Sequence, residues 1–402
     1  MPFNLKRARQ HTLPQKIILA TIWENMSYNG GMSKENLEHY LRVEQRPFDE
    51  APLTDVDLMA FAALIYAEFE RFPLAFDEAA STPIGEMPRY GTPWEYVEHD
   101  CHPKGMLPFI EALFANPRFT GIPLQRFRCI VDEERGVQFG AGCFPLPDGR
   151  VVVAYRGTNT LLVGWQENID FIWQVEGPGE AEALRYFEEA AVAYPDASFI
   201  VCGHSKGGGL ADHVGVYAPN ELLPRIERVV TFDGPPSFRL GDISCPEFGD
   251  LDDVILARYD QLPFPIQRYI FPSMVGLMLE RRDPAGFTYT QAVDSRTHNI
   301  CSARIVNGRI ATRTPTAEEL QTGMLTSRWV QLMSLKQRCF ISEFIIGACR
   351  QAGTSINLDN LKPLLKVLLQ AFLDANPPAK VEAARLVCSL LKANAPNAPL
   401  IY

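Results

Sequence analysis

The chain has 402 residues, of which 47% are hydrophobic and 21% are charged, the ordinary balance of a folded globular protein. Its net charge of −10 argues against a broad nucleic-acid-binding surface. No apolar run is long enough for a transmembrane span, and we expect no secretory signal at the start. Nine scattered cysteines without a C-x-x-C pair indicate neither a disulfide framework nor a zinc site, so we expect a cytoplasmic protein.

Residues 1–110 are predicted to form a helical lead-in, with loops, that packs on the rest of the chain. Its clearest element is a helix over residues 54–66, where Thr54 is a suitable N-cap and apolar residues recur at helical spacing. Residues 71–105 are rich in proline and glycine, which predicts loop.

Residues 111–312 alternate between apolar runs and amphipathic helices. Residues 151–155 are apolar throughout, which is typical of a strand covered on both faces, and residues 287–293 alternate as an edge strand does. The predicted strands cover residues 127–131, 136–146, 151–155, 198–202, 228–233, 268–271 and 287–293, and a helix covers 180–194. Strands that alternate with helices predict an α/β fold with a largely parallel sheet flanked by helices.

The C-terminal part, residues 313–402, has a helical pattern. Helices are predicted over residues 318–335, 338–352, 358–375 and 380–393. The third carries an apolar side made of Leu361, Leu364, Leu365, Leu368 and Leu369. The sequence therefore predicts a helical appendage packed on the sheet domain, and a partner-binding surface is the alternative for that apolar side.

The most informative stretch is Gly203-His204-Ser205-Lys206-Gly207, which has the G-x-S-x-G pattern of a nucleophile elbow. An apolar strand precedes it and a helix is predicted after it, as the motif requires. Glycines flank the serine in such a turn because there is no room for side chains, and the helix N-terminus directs its N–H groups at the same point. The pattern favours Ser205 as a nucleophile over a bystander serine in a glycine-rich turn.

A serine nucleophile needs a base, and in this kind of fold the chain order is serine, acid, histidine. Only two of the seven histidines, His213 and His298, follow the elbow. His213 falls on the elbow helix and is better explained as a surface or packed residue, and His204 cannot easily bend back to its neighbour Ser205. His298 lies in a loop after the last predicted strand, so elimination and position select it as the base.

The acid of the triad is predicted from strand ends. Asp233 ends the strand that follows the nucleophile strand, directly before a Gly-Pro-Pro turn, where a carboxylate could reach an imidazole over the sheet's C-terminal edge. A turn-capping role is the alternative for this residue. Asp294, four residues before His298, is a second candidate, and Asp260 and Glu280 are weaker ones.

An oxyanion hole needs two hydrogen-bond donors. The backbone N–H of Lys206, the residue after the nucleophile, is one, and Thr158 is well placed after an earlier strand to offer its N–H and hydroxyl as the other. Glu167 and Asn168 could brace that loop, and a solvated or capping role is their alternative. The Lys206 ammonium could simply add a charge near the site. This chemistry requires no cofactor and no metal ion.

Three motifs carry a family resemblance: YRGT at residues 155–158, GWQEN at 164–168 and GHSKGG at 203–208. They resemble the class 3 lipase pattern. The chain is closer still to the bacterial Mbeg1-like family of α/β hydrolases, with which it shares the lysine after the nucleophile and residues 232–235 and 272–279. The resemblance covers roughly residues 45–310, and it implies an α/β-hydrolase fold and hydrolysis of carboxylic esters.

The chain departs from these families at two positions. Class 3 lipases carry the acid after the strand that here ends in Pro272-Ser273, where this chain has no aspartate. The Mbeg1-like family usually has an acidic residue after the histidine, where this chain has Asn299. These departures leave Asp233 as the preferred acid, or an incomplete triad.

Together these features predict a serine hydrolase that cleaves a small or lipid-like carboxylic ester through an acyl-enzyme. A thioesterase, amidase or acyltransferase with the same triad is one alternative. A catalytically weak hydrolase fold that serves as an interaction module, with the C-terminal helices as its surface, is another. Residues 234–267, between the predicted acid strand and the next strand, could form a lid or an acyl pocket.

Overall fold

An eight-stranded sheet follows the order of its strands along the chain. The computed structural model describes residues 35–72, 81–97, 105–237, 257–273, 287–294, 298–317, 319–321, 329–330, 332–356 and 362–393. The strands are β1 (Ser81–Pro83), β2 (Pro123–Asp132), β3 (Val137–Pro145), β4 (Val151–Tyr155), β5 (Phe199–His204), β6 (Ile226–Phe232), β7 (Ile266–Ile270) and β8 (Phe287–Tyr289), with a separate hairpin of β9 (Ile305–Val306) and β10 (Arg309–Ile310).

Strand direction divides the sheet into two parts. Strands β1 to β4 pair antiparallel, with short turns between β2, β3 and β4, whereas β4 to β8 pair parallel through longer connections. The prediction of an α/β fold with a largely parallel, helix-flanked sheet is therefore confirmed. The strand predicted over residues 287–293 is shorter, because after Tyr289 the chain pairs instead with Thr312 and Ala303.

The α-helices cover both faces of the sheet and extend beyond it. They are α1 (Leu37–Val43), α2 (Asp55–Leu64), α3 (Met106–Phe114), α4 (Pro117–Thr120), α5 (Leu162–Asp170), α6 (Pro178–Ala193), α7 (Lys206–Tyr217), α8 (Leu335–Ala352), α9 (Lys362–Asp374) and α10 (Pro377–Ala393).

The central strands alternate their side chains between two apolar layers. In β4, Val152 and Ala154 face the layer of α1, α2 and α3, whereas Val151 and Val153 face the layer of α6 and α7. All five residues of β4 and all six of β5 are buried. This double coverage is why these strands are continuous hydrophobic runs in the sequence.

Helix α2 comes from the predicted lead-in and crosses the middle of the sheet. It begins at a capping box in which Thr54 and Asp57 exchange hydrogen bonds, and nine of its ten residues are buried. Asp57 also forms an ion pair with the fully buried Arg118 guanidinium, whose Nη2 atom lies 2.7 Å from Asp57 Oδ2. The loop predicted over residues 71–105 is wrong in part, because β1 pairs there with the edge of β2.

The C-terminal helices stack outward from the sheet domain: α8 packs on α5, α9 on α8, and α10 on α9. The helix predicted over residues 318–335 does not reach its predicted end, since Ser334 is the N-cap of α8 in a capping box with Gln337. Leu364 and Leu368 of α9 are half-buried, whereas Leu365 and Leu369 are 62% and 59% exposed, so the leucines do not share one buried face. Leu361 lies outside the described residues, and the partner surface stays a prediction.

Two further findings concern membrane-spanning helices and the state of the cysteines. Within the described parts of the chain, no helix has the length and apolar character needed to cross a membrane. Six cysteines in those parts are present as thiols and not as disulfides, namely Cys129, Cys143, Cys202, Cys301, Cys339 and Cys349.

Candidate active site

Ser205 lies in a sharp turn between β5, which ends at His204, and α7, which begins at Lys206. Its φ of 56° and ψ of −129° are a conformation that side-chain-bearing residues rarely adopt. A Cβ on Gly203 would collide with the carbonyl oxygen of Gly207, which explains the flanking glycines. The Ser205 N–H donates to the Phe232 carbonyl oxygen at 2.9 Å, so the turn is tied to the end of β6.

A chain of hydrogen bonds joins Ser205, His298 and Asp233. The His298 Nε2 atom lies 3.1 Å from Ser205 Oγ, and its Nδ1 atom lies 2.6 Å from Asp233 Oδ2. The Asp233 side chain is fully buried, whereas the His298 side chain is 24% exposed. The structure thus brings together three of the residues that the sequence singled out, with the imidazole between the hydroxyl and the carboxylate.

Asp233 is held by the strand next to its own. It follows β6 with a φ of 52°, and its Oδ1 accepts from the Phe271 N–H at 2.9 Å. The Ser273 hydroxyl, at the end of β7, donates to Asp233 Oδ2 at 2.8 Å. The strand end at which the family resemblance implied an acid thus carries Ser273, and its hydroxyl donates to the Asp233 carboxylate that follows β6.

Two glycines let the elbow helix and the end of β6 meet. Gly208 is in the first turn of α7, and Gly234 directly follows Asp233. A Cβ on Gly234 would lie 2.6 Å from Gly208 Cα, so the two backbones touch with no room for side chains. The contact explains why a further glycine follows the G-x-S-x-G pattern.

The other carboxylates proposed from the sequence have different positions. Asp260 is exposed on a turn, and Asp294 is half-buried in the segment before His298. Glu280 lies outside the described residues, as do residues 238–256 of the segment predicted to be a lid or acyl pocket. The carboxylate at His298 Nδ1 is that of Asp233.

The two predicted oxyanion donors lie at the C-terminal edge of neighbouring parallel strands. Tyr155 of β4 pairs with Gly203 of β5, so Thr158 and Lys206 each follow a strand at this edge. Lys206 is the first residue of α7, where a backbone N–H has no intrahelical acceptor. Asn168 Nδ2 donates to Thr158 Oγ1 at 2.7 Å, so α5 braces the Thr158 side chain.

Comparison with family models assigns the family. The Mbeg1-like model matches residues 113–339, more than half of the chain, and this range includes Ser205, Asp233 and His298. The chain belongs to the Mbeg1-like family. The match starts later and ends later than the resemblance over residues 45–310 that the sequence motifs suggest.

Solved structures that match this Mbeg1-like chain include fungal lipases. A fungal lipase–inhibitor complex is 10% identical with a TM-score of 0.34, and the match covers 68% of this chain and 97% of that one. Rhizomucor miehei lipase in its propeptide complex is 12% identical (TM-score 0.31; 71% and 86% covered). A mono- and diacylglycerol lipase from Aspergillus oryzae is also 12% identical (TM-score 0.32; 66% and 87% covered). No curated protein matches the chain.

His204 has contacts beside Ser205 and His298 that sequence reasoning missed. It is buried, with the Tyr66 hydroxyl 2.9 Å from its Nδ1 and the backbone oxygen of His298 3.0 Å from its Nε2. Burial and the nearby His298 lower the pKa of His204 well below its usual value, which keeps it neutral. His204 therefore links the lead-in to the backbone of His298, and only a contact between residues far apart in sequence reveals it.

The Lys206 side chain also differs from the expectation of a charge beside the reacting centre. It is buried, and its Nζ donates to Glu167 Oε2 at 2.6 Å and to the backbone oxygen of Gln138. Burial lowers the pKa of Lys206, and the Glu167 carboxylate opposes that shift. Glu167 also accepts from the Gly179 N–H at 2.6 Å, in the first turn of α6, so it is a buried ion-pair partner that also satisfies a helix N-terminus and is not solvated.

His213 is packed, as the simpler interpretation of its helical position predicted. Its ring stacks on Tyr217, with 4.4 Å between centroids, and its Nε2 lies 3.2 Å from Glu176 Oε1.

A cavity of about 550 Å³ lies away from Ser205, between the lead-in and β7, and is lined in part by Tyr40, Asp55 and Tyr269. Ser205, Asp233 and His298 do not line it.

Proposed function

We propose that this Mbeg1-like chain is a serine hydrolase that cleaves carboxylic esters through an acyl-enzyme. The observation that carries the proposal is the hydrogen-bond chain from Ser205 Oγ through His298 to Asp233, with spacings of 3.1 and 2.6 Å. Nucleophile, base and orienting acid at such distances are the constellation that activates a serine hydroxyl. The hydrolase-like fold is consistent with this role but does not identify the reaction by itself.

In the proposed first step, Ser205 Oγ attacks the ester carbonyl carbon and His298 Nε2 takes the hydroxyl proton. The buried Asp233 carboxylate stabilises the imidazolium and fixes its orientation through Nδ1. The tetrahedral intermediate collapses as His298 returns the proton to the leaving alcohol oxygen, and the acyl group stays on Ser205. Water then repeats the sequence, with His298 as its base, and releases the carboxylic acid.

The negative oxygen of the intermediate needs fixed donors. We assign the Lys206 N–H and Thr158 to this role, because both follow adjacent strands at the edge where Ser205 lies. Since Thr158 Oγ1 accepts from Asn168, its hydroxyl proton is available to donate to the substrate oxygen. The mechanism uses side chains and backbone groups of this chain and requires no cofactor.

Labelling with a fluorophosphonate tests whether Ser205 is activated. The wild type is expected to label, and Ser205→Ala and His298→Ala are expected to lose essentially all labelling, because the first lacks the nucleophile and the second its base. Ser81→Ala and His39→Ala are matched controls, since both residues lie in the lead-in. Their labelling should equal that of the wild type.

A folded wild type that does not label would contradict the hydrolase proposal and favour an interaction module on a hydrolase fold. If it labels, matched oxygen esters, thioesters and amides of the same acyl group identify the reaction class. Preferential turnover of oxygen esters would support the proposal. Preferential turnover of thioesters or amides would replace the esterase assignment but leave the triad in place.

A further inference from the structure

The two proposed oxyanion donors come from separate segments, and their relative position must be fixed. Lys206 begins α7, whereas Thr158 lies between β4 and α5. The Lys206 side chain turns away from the reacting centre and reaches β3, where its Nζ contacts the backbone oxygen of Gln138 and Glu167 Oε2. Both members of the ion pair have fully buried side chains.

Gln138 connects this ion pair to the Thr158 loop. Its backbone N–H donates to Glu167 Oε2 at 3.1 Å, and its side-chain Nε2 donates to the Gly157 carbonyl oxygen at 3.4 Å. In a trans peptide, the carbonyl of one residue and the N–H of the next point in opposite directions. A donor that holds the Gly157 oxygen therefore sets the direction of the Thr158 N–H.

Helix α5 supports the same assembly with one face. Gly164, Glu167 and Asn168 are three and four residues apart, which places them on one side of the helix. A Cβ on Gly164 would lie 2.6 Å from Gln138 Oε1 and 3.1 Å from Thr158 Cγ2, so a larger residue would displace both. Glu167 binds Lys206, and Asn168 binds Thr158. This face accounts for three residues of the GWQEN motif.

We propose that the Lys206 side chain, together with Glu167 and Gln138, is a positioning bridge that holds the two halves of the oxyanion hole at a fixed separation. This inference rests on the serine hydrolase function proposed above. Lys206 then has two separate roles: its backbone N–H contacts the substrate oxygen, and its ammonium orients the other donor through Gln138. An ammonium in this interior site can stay charged because Glu167 compensates it.

Gln138→Leu is the sharpest test, because it removes the contact to Gly157 without leaving a charge unpaired. It also keeps the backbone groups that bind Glu167 and Lys206. With p-nitrophenyl butyrate, kcat should fall about 10- to 100-fold with little change in KM, because the misplaced donor matters only in the transition state. The rate constant of fluorophosphonate labelling should fall in parallel.

Gln267→Leu is the matched control, since Gln267 also lies on a strand of the sheet and donates to a neighbouring strand, at Thr288. It should keep the wild-type kcat. Lys206→Met tests the ammonium itself, and Arg118→Met is its control because it removes the cation of another fully buried pair. Both variants should lose thermal stability, because each leaves a buried carboxylate without its cation, but only Lys206→Met should lose kcat per folded molecule.

The outcomes separate the two levels of the proposal. If the wild type hydrolyses the ester and Gln138→Leu keeps full kcat, the bridge is overturned and the hydrolase function stands. A lower melting temperature with an unchanged kcat would mean that the bridge is only structural, which also overturns it. If Lys206→Met does not fold, Gln138→Leu alone decides. A wild type that neither labels nor hydrolyses esters removes both proposals.

Discussion

The two neighbours of Ser205 along the chain are both buried and polar, but their surroundings differ. His204 is neutral and bridges the Tyr66 hydroxyl and the backbone oxygen of His298. Lys206 belongs to an ion pair with Glu167 and reaches β3. One neighbour therefore connects the elbow to the lead-in and to His298, and the other connects it to the sheet and the Thr158 loop.

The comparison shows that two kinds of interaction hold the turn at Ser205, neutral hydrogen bonds on the His204 side and a buried ion pair on the Lys206 side. A hydrogen bond between neutral groups depends only on the direction and distance between donor and acceptor. When one group is removed, the other is an uncharged buried group without a hydrogen-bond partner. A buried ion pair must also compensate the removal of two charges from water, so the loss of one partner leaves a charge without compensation. Substitutions on the Lys206 side should therefore lower the free energy of unfolding more than substitutions on the His204 side.

Glu167→Gln should have the largest effect on stability. It leaves the Lys206 ammonium buried without its carboxylate, and we expect the free energy of unfolding to fall by about 3–5 kcal/mol. The double variant Glu167→Gln/Lys206→Met should recover part of this loss, because it removes the isolated charge. Urea denaturation of both variants measures the difference, and a loss below about 1 kcal/mol for Glu167→Gln would contradict the expectation.

Tyr66→Phe should have a smaller effect, on the neutral side. Because the His298 carbonyl can only accept, His204 Nε2 carries the proton and Nδ1 accepts from the Tyr66 hydroxyl. Removal of the Tyr66 hydroxyl leaves the buried Nδ1 atom of His204 without that donor, and the free energy of unfolding should fall by about 1–3 kcal/mol. The same urea experiment applies. A loss as large as that of Glu167→Gln would refute the proposed difference between the two sides.

The pH dependence of stability should show the smallest effect. The folded state lowers the pKa of His204 well below 6.5, so below that pH the unfolded chain binds more protons at this residue than the folded chain does. Stability therefore decreases as the pH falls through 6.5, by at most about 1.4 kcal/mol per pH unit for this group.

His204→Gln removes the titrating group and isolates its contribution to this pH dependence. Between pH 7.5 and 5.5, the wild type should lose more unfolding free energy than the variant does. Equal losses in the two proteins would mean that His204 does not contribute.

The sequence was most informative where a local pattern determines the structure. Apolar runs located β4 and β5, the strand–turn–helix pattern located the elbow, and a strand end suggested Asp233. Chain order and elimination singled out His298. These signals are local, or follow from the rule that strand ends of a parallel sheet share one edge.

The supporting contacts could not be predicted in this way. Tyr66 and His204 are 138 residues apart, and Gln138 and Lys206 are 68 apart. Neither pair follows from a spacing rule, because each depends on how the lead-in and β3 pack against the elbow. The sequence shows Ser273 only as a serine where the family resemblance implies an aspartate, and its hydrogen bond to Asp233 follows from the adjacency of β6 and β7 in the fold.

The backbone contact between Gly208 and Gly234 has a consequence for the chain segments that follow it. Gly208 is three residues from Ser205, and Gly234 is next to Asp233, so the spacing of hydroxyl and carboxylate is set within two very short segments. Insertions and deletions in the connections that follow these segments need not alter that spacing. The lengths of those connections can therefore change while the spacing of the Ser205 hydroxyl and the Asp233 carboxylate stays the same.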